Sequence, residues 1–240
     1  MRLDKYIAET KNCTRNRAQF FIEQKLVFVN EICITKASYE IKEQDTIRIL
    51  DDKRIEFVSR SAMKLDGFLD EINLDVHDMI GLDIGASTGG FTQILLMRGI
   101  KWVHTVDVGT LQLHTSLRED SRVIVLENTD IRDFQTNTHF DIIVGDISFI
   151  SLTKLIDSIL DLADSKTEII LLYKPQFEVG SENLRKTGVP KSEGIIARKF
   201  AEFQTLLGEK RISIKKISLS SLVGEAGNKE YFLWLQKKES

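Results

Sequence analysis

The sequence predicts an α/β protein with a doubly wound, mostly parallel sheet, preceded by a small α+β module. After residue 60, short apolar runs alternate with segments of helical periodicity. One apolar run ends at Asp83 and leads into the turn G-A-S-T-G-G, which is followed by a helical pattern over 91–99. A buried strand, a glycine-rich turn and a helix form the first unit of a nucleotide-binding α/β domain.

Composition and length set the class of protein. The 240 residues suffice for one sizeable α/β domain and a small one. A hydrophobic content of 42% and a charged content of 29% are ordinary for a folded globular protein. No apolar run approaches the roughly 20 residues needed to cross a bilayer, and the N-terminus has no signal-peptide core. We therefore expect a cytoplasmic protein with no membrane role.

The sequence offers no metal site. Its two cysteines, Cys13 and Cys33, match no metal-ligand spacing and are expected to be reduced thiols. The four histidines are scattered along the chain, and we expect all of them to be structural. For the assembly state we expect a monomer or a weak dimer.

The first 50 residues predict two helices and three short strands. Apolar residues from Leu3 to Ile7 recur at helical spacing, and Thr14 is a suitable N-cap for a second helix. Asn30 and Glu31 form the turn of a hairpin, in which Asn30 tolerates a positive φ and Glu31 is a poor second residue. The elements after the first helix are a helix at Arg15–Gln24 and strands at Leu26–Val29, Ile32–Ile34 and Thr46–Leu50.

The N-terminal segment is basic although the protein is acidic. Residues 1–17 hold five basic and two acidic side chains, a local charge of +3, so the rest of the chain carries −6 within a total of −3. A local basic face of this kind can serve as an electrostatic footprint for nucleic acid.

The second module alternates strands with helices, which predicts right-handed crossovers in a parallel sheet. Its last two strands have no helix between them, which predicts a hairpin with one antiparallel strand at the sheet edge. The predicted strands are Met79–Ile84, Trp102–Val108, Val123–Glu127, Asp141–Asp146, Glu168–Tyr173, Ile214–Leu219 and Tyr231–Leu235. The predicted helices are Ala62–Ile72, 91–99, 111–117, 151–163 and 192–207.

Four aspartates follow successive strands, at the edge where ligands of such sheets bind. Each alone could be a helix cap, but four in succession favour a binding site. The glycines of the first turn allow backbone to approach a ligand closely. The predicted cofactor-binding residues are Asp83, Gly85, Ala86, Ser87, Thr88, Gly89, Gly90, Phe91, Asp107, Asp130 and Asp146.

A lysine also ends a predicted strand. Lys174 follows the apolar run I-I-L-L-Y and precedes a proline, so it is expected to be partly desolvated. Desolvation favours the neutral amine, which can act as a general base. Lys64 and Glu230, each considered alone, would be assigned as surface charges.

The first module resembles a known RNA-binding family. R-L-D-K-Y-I, T-R-N-R-A-Q-F-F-I and L-V-F-V-N are similar to the S-four RNA-binding domain over nearly all of residues 1–50. This resemblance implies that its helices present basic side chains to RNA phosphates. A solvated helical face is the alternative. The implied RNA-binding residues are Arg2, Lys5, Arg15 and Arg17, with Arg60 in the later motif V-S-R.

The second module resembles ribose 2′-O-methyltransferases. Lys64, Asp146, Lys174 and Glu230 occur in the order of the Lys-Asp-Lys-Glu tetrad of the FtsJ-like enzymes. Closer still is the TlyA (hemolysin A) family, through L-D-I-G-A-S-T-G-G-F-T, V-D-V-G-T-L-Q-L, D-I-S-F-I-S-L, K-P-Q-F-E-V-G and G-N-K-E-Y-F. With the N-terminal module, the resemblance spans practically the whole chain. It implies an RNA-binding domain at 1–50, a linker at 51–59 and a Rossmann-like methyltransferase domain at 60–240.

The resemblance also implies an activity. S-adenosylmethionine would be the cofactor, and the target would be a cytidine of large-subunit ribosomal RNA, either as free RNA or in a ribosomal subunit. Lys174 would take the proton of the 2′-hydroxyl, Asp146 and Glu230 would orient the two lysines, and Lys64 would steady the substrate. Some members of the family also modify small-subunit rRNA and carry short extensions at both ends. This chain begins at the first helix and stops just past the last strand, so we expect it to be of the compact kind that modifies a single target.

Three further features follow the catalytic motifs. Phe149 and Phe177 could stack on a splayed base, although core packing is an equal alternative for Phe149. The polar stretch Glu178–Glu193 is long for a connector and is expected to be a mobile substrate loop.

Other functions are less well supported. A non-catalytic RNA- or ribosome-binding protein would need no ordered strand-end carboxylates. A pseudouridine synthase would carry R-L-D in a later domain, whereas here it occurs at residues 2–4. An NAD-dependent dehydrogenase would show another glycine spacing. A pore-forming hemolysin, which the family name suggests, would need a membrane-inserting stretch.

Overall fold

A computed structural model describes residues 1–11, 13–52 and 56–239. The chain divides into two compact units, Met1–Arg60 and Ser61–Ser240. The predicted connector 51–59 lies partly outside the described residues. Each unit is described by itself below.

The first unit contains two helices and a small antiparallel sheet, as the sequence predicts. The Thr14 hydroxyl accepts a hydrogen bond from the Arg17 backbone N–H and so caps the second helix. The three strands lie in the order β2-β1-β3. The elements are α1 (Leu3–Thr10), α2 (Arg15–Glu23), β1 (Val27–Val29), β2 (Ile32–Cys33) and β3 (Ile47–Ile49).

The hairpin between β1 and β2 has the predicted two-residue turn. Val29 pairs with Ile32, so Asn30 and Glu31 are the two turn residues. Their φ values are 48° and 63°, both in the left-handed region that this type of hairpin turn requires. Glu31 therefore bears backbone strain, as its residue type predicts. Its carboxylate forms an ion pair with Arg48 on β3 at 2.8 Å.

Asp4 is the polar centre of the first unit. Its side chain is fully buried at the start of α1 and accepts hydrogen bonds from Arg2, Arg15 and Gln19. The Arg2 guanidinium is the largest cause that holds the pKa of Asp4 far below its ordinary value, against the opposing effect of burial. Asp4 thus joins the start of α1 to α2 by charge-assisted hydrogen bonds.

The second unit is a seven-stranded sheet with helices on both faces, in the strand order β6-β5-β4-β7-β8-β10-β9. This is the mostly parallel, Rossmann-like arrangement that the sequence predicts. Its strands are β4 (Ile80–Ile84), β5 (Trp102–Val106), β6 (Val123–Leu126), β7 (Ile142–Gly145), β8 (Glu168–Tyr173), β9 (Ile212–Leu219) and β10 (Tyr231–Lys237). Its helices are α3 (Arg60–Ile72), α4 (Gly90–Met97), α5 (Thr115–Arg118), α6 (Ile156–Asp161), α7 (Pro175–Glu178) and α8 (Glu193–Glu209).

The terminal hairpin lies at the sheet edge as predicted, but its antiparallel strand is not the outermost one. β10 runs antiparallel to both β8 and β9 and is inserted between them. The edge strand is therefore β9. This insertion places the start of β10 beside the end of β8, since Tyr231 pairs with Tyr173.

The core lies on both faces of the sheet. Phe232 of β10 stacks on Phe68 of α3, with ring centroids 4.5 Å apart, and lies 6.1 Å from Phe91 of α4. The next residue, Leu233, belongs to the cluster on the opposite face, which includes Phe203 of α8. The two faces are filled by side chains that alternate along the strand, as the pleat requires.

The predicted helix over 111–117 is wrong in its first half, and α5 covers Thr115–Arg118. Leu111 has φ 55° and is 85% exposed. The Glu127 carboxylate accepts hydrogen bonds from the backbone N–H groups of Leu111 and Gln112 at 2.8 and 3.1 Å. A carboxylate from the end of β6 thus replaces the helical hydrogen bonds of this segment.

The predicted helix over 151–163 is broken into two parts. A 3-10 turn at Leu152–Lys154 precedes α6. Glu178, on α7, accepts hydrogen bonds from the Ser151 hydroxyl at 2.5 Å and the Leu152 N–H at 2.7 Å. Burial raises the pKa of Glu178, and these hydrogen bonds oppose the rise.

No helix in the described part of the chain is long and apolar enough to cross a bilayer.

We predict that Asp4→Ala loosens α1 and α2, because two guanidinium groups and the Gln19 amide lose their shared acceptor. The expected loss of local stability is about 1–3 kcal/mol. Hydrogen exchange of amides in residues 3–24 of the full chain measures it. Glu9→Ala is the matched control, since that carboxylate is exposed on the same helix. Unchanged protection in Asp4→Ala would contradict the assigned role.

Candidate active site

The glycine-rich turn follows β4 and has the backbone conformation that its residues predict. Gly85 and Gly89 have φ values of 73° and 94°. A Cβ on Gly89 would meet the side chains of Leu117 and Leu113, so a larger residue would have to displace them and adopt a strained φ. Ser87 and Thr88 are exposed at the tip of the turn. The Phe91 side chain is buried against Phe232, so its ring belongs to the core and does not face this turn's surface.

Asp83 lies directly beneath the turn and is fully buried. Its Oδ2 accepts hydrogen bonds from the Thr92 N–H at 2.9 Å and hydroxyl at 2.6 Å, which ties β4 to α4. Its Oδ1 has no hydrogen-bond partner within the described residues. Burial raises the pKa of Asp83 to about 7; the Thr92 bonds oppose this, and the nearby carboxylates of Asp146 and Asp107 add to it.

Asp107 connects the second strand to the glycine turn. Its carboxylate accepts hydrogen bonds from the backbone N–H groups of Ser87 and Gly109, each at 2.7 Å. Each oxygen keeps a lone pair for a further donor. Asp130 is already engaged with Arg132 at 2.6 Å, and that guanidinium lowers the pKa of Asp130 to about 2.

Lys174 and Asp146 form one buried ion pair. They end the neighbouring strands β8 and β7, and Lys174 Nζ lies 2.7 Å from Asp146 Oδ1. The same amine donates to the Ser148 hydroxyl at 2.6 Å and is 3.4 Å from the Asp146 carbonyl oxygen. Lys174 is 7% exposed, so little of its charge is solvated by water.

Lys64 and Glu230 form a second buried pair, between α3 and the start of β10. Lys64 Nζ donates to Glu230 Oε2 at 2.7 Å, although the residues are 166 positions apart in sequence. Their exposures are 9% and 3%. The Gln176 amide, at the start of α7, lies 3.4 Å from Glu230 Oε1.

The two pairs share one region at the carboxyl edge of the sheet. Lys174 belongs to the first pair, and Gln176, two residues later, contacts Glu230 of the second pair. Asp146 lies next to the glycine turn, since a Cβ on Gly85 would be 3.7 Å from the Asp146 carbonyl oxygen. Gly85, Asp146 and Lys174 follow β4, β7 and β8, and Glu230 precedes β10. These four strands are consecutive in the sheet. All four tetrad residues therefore lie around the end of the same sheet segment.

Phe149 is the prominent aromatic of this region. It is 89% exposed and has φ 67°, so the core-packing alternative for this residue is wrong. Its ring centroid lies 5.4 Å from that of Phe177, and Lys174 Nζ lies 5.9 Å from the Phe177 centroid. The positive φ strains the backbone of this bulky residue, and its exposed ring contributes little to the core. Both features indicate a role outside folding.

The segment after α7 is folded, unlike an open loop. A 3-10 turn at Ser181–Asn183 is followed by a bridge between Leu184 and Pro190. The stretch Glu178–Glu193, predicted to be a mobile substrate loop, thus contains a short hairpin whose backbone hydrogen bonds are internal.

The basic residues predicted to bind RNA in the first unit differ in their partners. Arg2 and Arg15 are held by Asp4, while 44% and 52% of their side-chain surfaces stay exposed. Lys5 is 3.8 Å from Glu9, and Arg17 lies over the Phe21 ring at 5.7 Å. Arg60 lies 3.9 Å from Glu23.

The sequence reasoning missed three residues that contact the tetrad. Ser148 and Gln176 lie two positions after Asp146 and Lys174, a spacing that could have indicated them. Gly224 has no such signal in the sequence, yet a Cβ there would collide with the Glu230 carboxylate. Within the described residues, no group of three or more histidine, cysteine or acidic side chains has the arrangement of a metal site.

Comparison with known proteins places both units in families. Residues 57–237 match the FtsJ-like methyltransferase model, and residues 1–47 match the S4 domain model. The chain is 38% identical to the 23S rRNA (cytidine-2′-O)-methyltransferase TlyA of Campylobacter jejuni, over 99% of this chain and 100% of that protein. It is 36% identical to the 16S/23S rRNA (cytidine-2′-O)-methyltransferase TlyA of Mycobacterium tuberculosis, over 93% and 84%.

A solved structure has a similar fold. A protein from Streptococcus thermophilus that carries the name hemolysin superposes with a TM-score of 0.75 at 32% identity, over 100% of this chain and 89% of that one.

The buried Asp83 predicts a pH-dependent stability. The unfolded carboxyl has a pKa of about 4, so between pH 4 and 7 the folded chain holds a proton that the unfolded chain has released. This carboxyl therefore lowers the free energy of unfolding as pH rises through that window. In Asp83→Asn the effect is absent, so we expect the variant to gain up to about 4 kcal/mol on wild type between pH 4 and pH 8.

Urea unfolding followed by tryptophan fluorescence measures this gain, since Trp102 and Trp234 both lie in the second unit. Asp133→Asn, at an exposed carboxylate, is the control and should show no such divergence. Parallel pH profiles for wild type and Asp83→Asn would refute the assigned ionisation.

Proposed function

The chain belongs to the FtsJ-like methyltransferases, and within them to the TlyA group that also carries an S4 domain; we propose that it methylates ribose 2′-hydroxyls of ribosomal RNA, with S-adenosylmethionine as the methyl donor. The observation that carries this proposal is the pair of buried lysine–carboxylate contacts, Lys174–Asp146 and Lys64–Glu230, at one sheet edge. Folding alone does not favour such pairs, because desolvating the charges costs about as much as their attraction returns.

The residues of the first turn fit a charged nucleoside cofactor. Asp83 has a buried oxygen without a partner in the described chain, and such an oxygen can accept a hydrogen bond from an amino group. The Asp107 carboxylate has free lone pairs for ribose hydroxyls. Gly85 and Gly89 have the positive φ values that give the turn its shape. S-adenosylmethionine, when bound, supplies a methyl group on a sulfonium, which is already electrophilic.

Lys174 is the proposed general base. A neutral lysine amine has two N–H donors and one lone pair, and Asp146 and Ser148 provide two short contacts for the donors. The lone pair is then directed away from these two acceptors and can take the proton of a 2′-hydroxyl. The Asp146 carboxylate stabilises the ammonium that this transfer produces.

Lys64 and Glu230 are proposed to hold the substrate ribose or phosphate beside Lys174. Glu230 fixes the Lys64 amine, and the Gln176 amide fixes Glu230 relative to the segment that carries Lys174. An aligned hydroxyl is the main requirement of this reaction, since the electrophile needs no further activation.

The substrate follows from the relatives and from the first unit. The relatives with this two-unit arrangement are named as rRNA cytidine-2′-O-methyltransferases, and both act on 23S rRNA by their names. A cytidine of the large-subunit rRNA is therefore the proposed target. In the first unit Arg2, Lys5, Arg15 and Arg17 are the proposed phosphate contacts, and Arg2 and Arg15 share their charge with Asp4.

We predict that Lys174→Ala lowers kcat for methyl transfer to ribosomal RNA about 10²- to 10⁴-fold, the usual contribution of a positioned base. Cofactor affinity should stay close to wild type, because the glycine turn and Asp107 are untouched. Transfer of tritiated methyl to rRNA and calorimetric titration of S-adenosylmethionine measure the two quantities. Lys166→Ala is the control, at an exposed lysine before the same strand. A near wild-type rate in Lys174→Ala would remove the general-base assignment.

Phe149 is proposed to stack on the target base once that base leaves its helix. Phe149→Ala should raise the KM for RNA roughly 5- to 100-fold, since one base–aromatic contact contributes about 1–3 kcal/mol. Phe149→Trp should retain affinity, whereas Phe149→Leu, which keeps bulk without an aromatic face, should not. Steady-state kinetics with varied rRNA give these values. Equal KM values for the Leu and Trp variants would argue against stacking.

A further inference from the structure

We propose that the tip of the hairpin 184–190, formed by Arg185 and Lys186, is a second RNA-binding site that holds phosphates next to the target nucleotide. We call this segment the basic hairpin. The inference rests on the proposed function, because it assigns to the methyltransferase unit a contact with the same RNA substrate.

The basic hairpin has a defined conformation of its own. Leu184 and Pro190 form an antiparallel bridge. Inside it, the Arg185 N–H donates to the Val189 carbonyl at 2.8 Å, and the Gly188 N–H donates to the Arg185 carbonyl at 2.9 Å. Gly188 has φ 78°, a conformation that favours glycine at this turn. The backbone of the tip residues is therefore already ordered by a closed turn, and it loses little further conformational entropy on binding.

The base of the hairpin is tied to the segment after α7. The Lys191 N–H donates to the Asn183 carbonyl at 2.8 Å, and the Lys191 amine donates to the Glu182 carbonyl at 2.6 Å. The Asn183 amide in turn donates to the Val179 carbonyl at 2.7 Å. Val179 directly follows α7, which begins one residue after Lys174. The hairpin is thus connected to the catalytic lysine by a short run of ordered chain.

The tip lies beside the loop that carries Glu230. The Gly188 carbonyl is 3.4 Å from the amide nitrogen of Asn228, which is buried two residues before Glu230. In the same loop, Lys229 forms an ion pair with Glu193 at 3.0 Å. The basic hairpin is therefore in contact with the loop that ends at the buried Lys64–Glu230 pair.

The two tip cations are available for a ligand. Arg185 and Lys186 are exposed, and within the described residues their side chains have no ion pair or hydrogen bond. The neighbouring carboxylates are engaged elsewhere: Glu182 with the Asn183 amide at 3.1 Å, and Glu193 with Lys229. Two adjacent positive charges without a carboxylate partner in the described part of the chain attract an anionic ligand.

RNA phosphate is the ligand that suits this pair. A guanidinium binds two phosphate oxygens through its planar fork, and a lysine amine adds a second charged donor. Contacts of this kind position RNA without reading its sequence. The tip would hold the backbone on one side of the target, while Lys64 and Lys174 act at its ribose.

The test measures RNA binding separately from methyl transfer. The probe is the large ribosomal subunit from cells that lack this protein, titrated with fluorescently labelled wild type, Arg185→Ala/Lys186→Ala and Arg185→Lys/Lys186→Arg at several salt concentrations. The matched control is Lys166→Ala/Lys238→Ala, which removes two exposed charges at the opposite edge of the sheet.

The alanine pair at the tip should weaken binding on the order of tenfold at 0.1 M salt and reduce the salt slope by about 1–2. The charge-preserving pair and the control should bind like wild type. Wild-type affinity in the alanine pair, or an equal loss in the control, would overturn the assignment of the hairpin. Wild type that transfers no methyl to rRNA would instead refute the proposed function, and the binding comparison would still decide the role of the hairpin.

Discussion

Two lysine amines held out of water beside two carboxylates are the constraint on which the second unit depends. Lys174 and Glu230 are 7% and 3% exposed, and Lys64 comes from a helix 166 positions before its partner. Each lysine can be buried only because an acid from a different element lies within 2.7 Å. The insertion of β10 between β8 and β9 makes this possible, since it brings the start of β10 next to the end of β8. The spatial order of the strands thus brings the residues of the site together.

Much of this architecture follows from patterns that act locally. The alternation of apolar runs and helical segments predicts the sheet, and the residue type at Asn30 predicts its turn. Strand ends meet at one edge of a parallel sheet, so the sequence alone predicts that Asp83, Asp107 and Asp146 lie near one another. The mutual repulsion that contributes to the raised pKa of Asp83 is the electrostatic sign of that convergence.

What the sequence did not reveal depends on contacts between distant residues. The carboxylate of Glu127 accepts hydrogen bonds from the N–H groups of Leu111 and Gln112, and no local pattern at 111–117 predicts these bonds. Asp4 likewise engages Arg2 and Arg15, so a charge count overstates the cations that the first unit offers to RNA. Phe149 combines full exposure with a positive φ, a combination that only the folded backbone defines. Propensity predicts elements, whereas the partner of a buried or strained group depends on tertiary structure.

The proposed role of the buried Lys174–Asp146 pair is to remove a proton from a ribose hydroxyl of ribosomal RNA. Mass mapping of methylated nucleotides in rRNA tests this most directly, in cells that lack the protein and in the same cells supplied with the wild-type gene. We expect a methyl group on a ribose 2′ oxygen of the large-subunit rRNA that is present only when the gene is supplied. An identical set of ribose methyl groups in both kinds of cell, or a methyl group on a base instead, would contradict it.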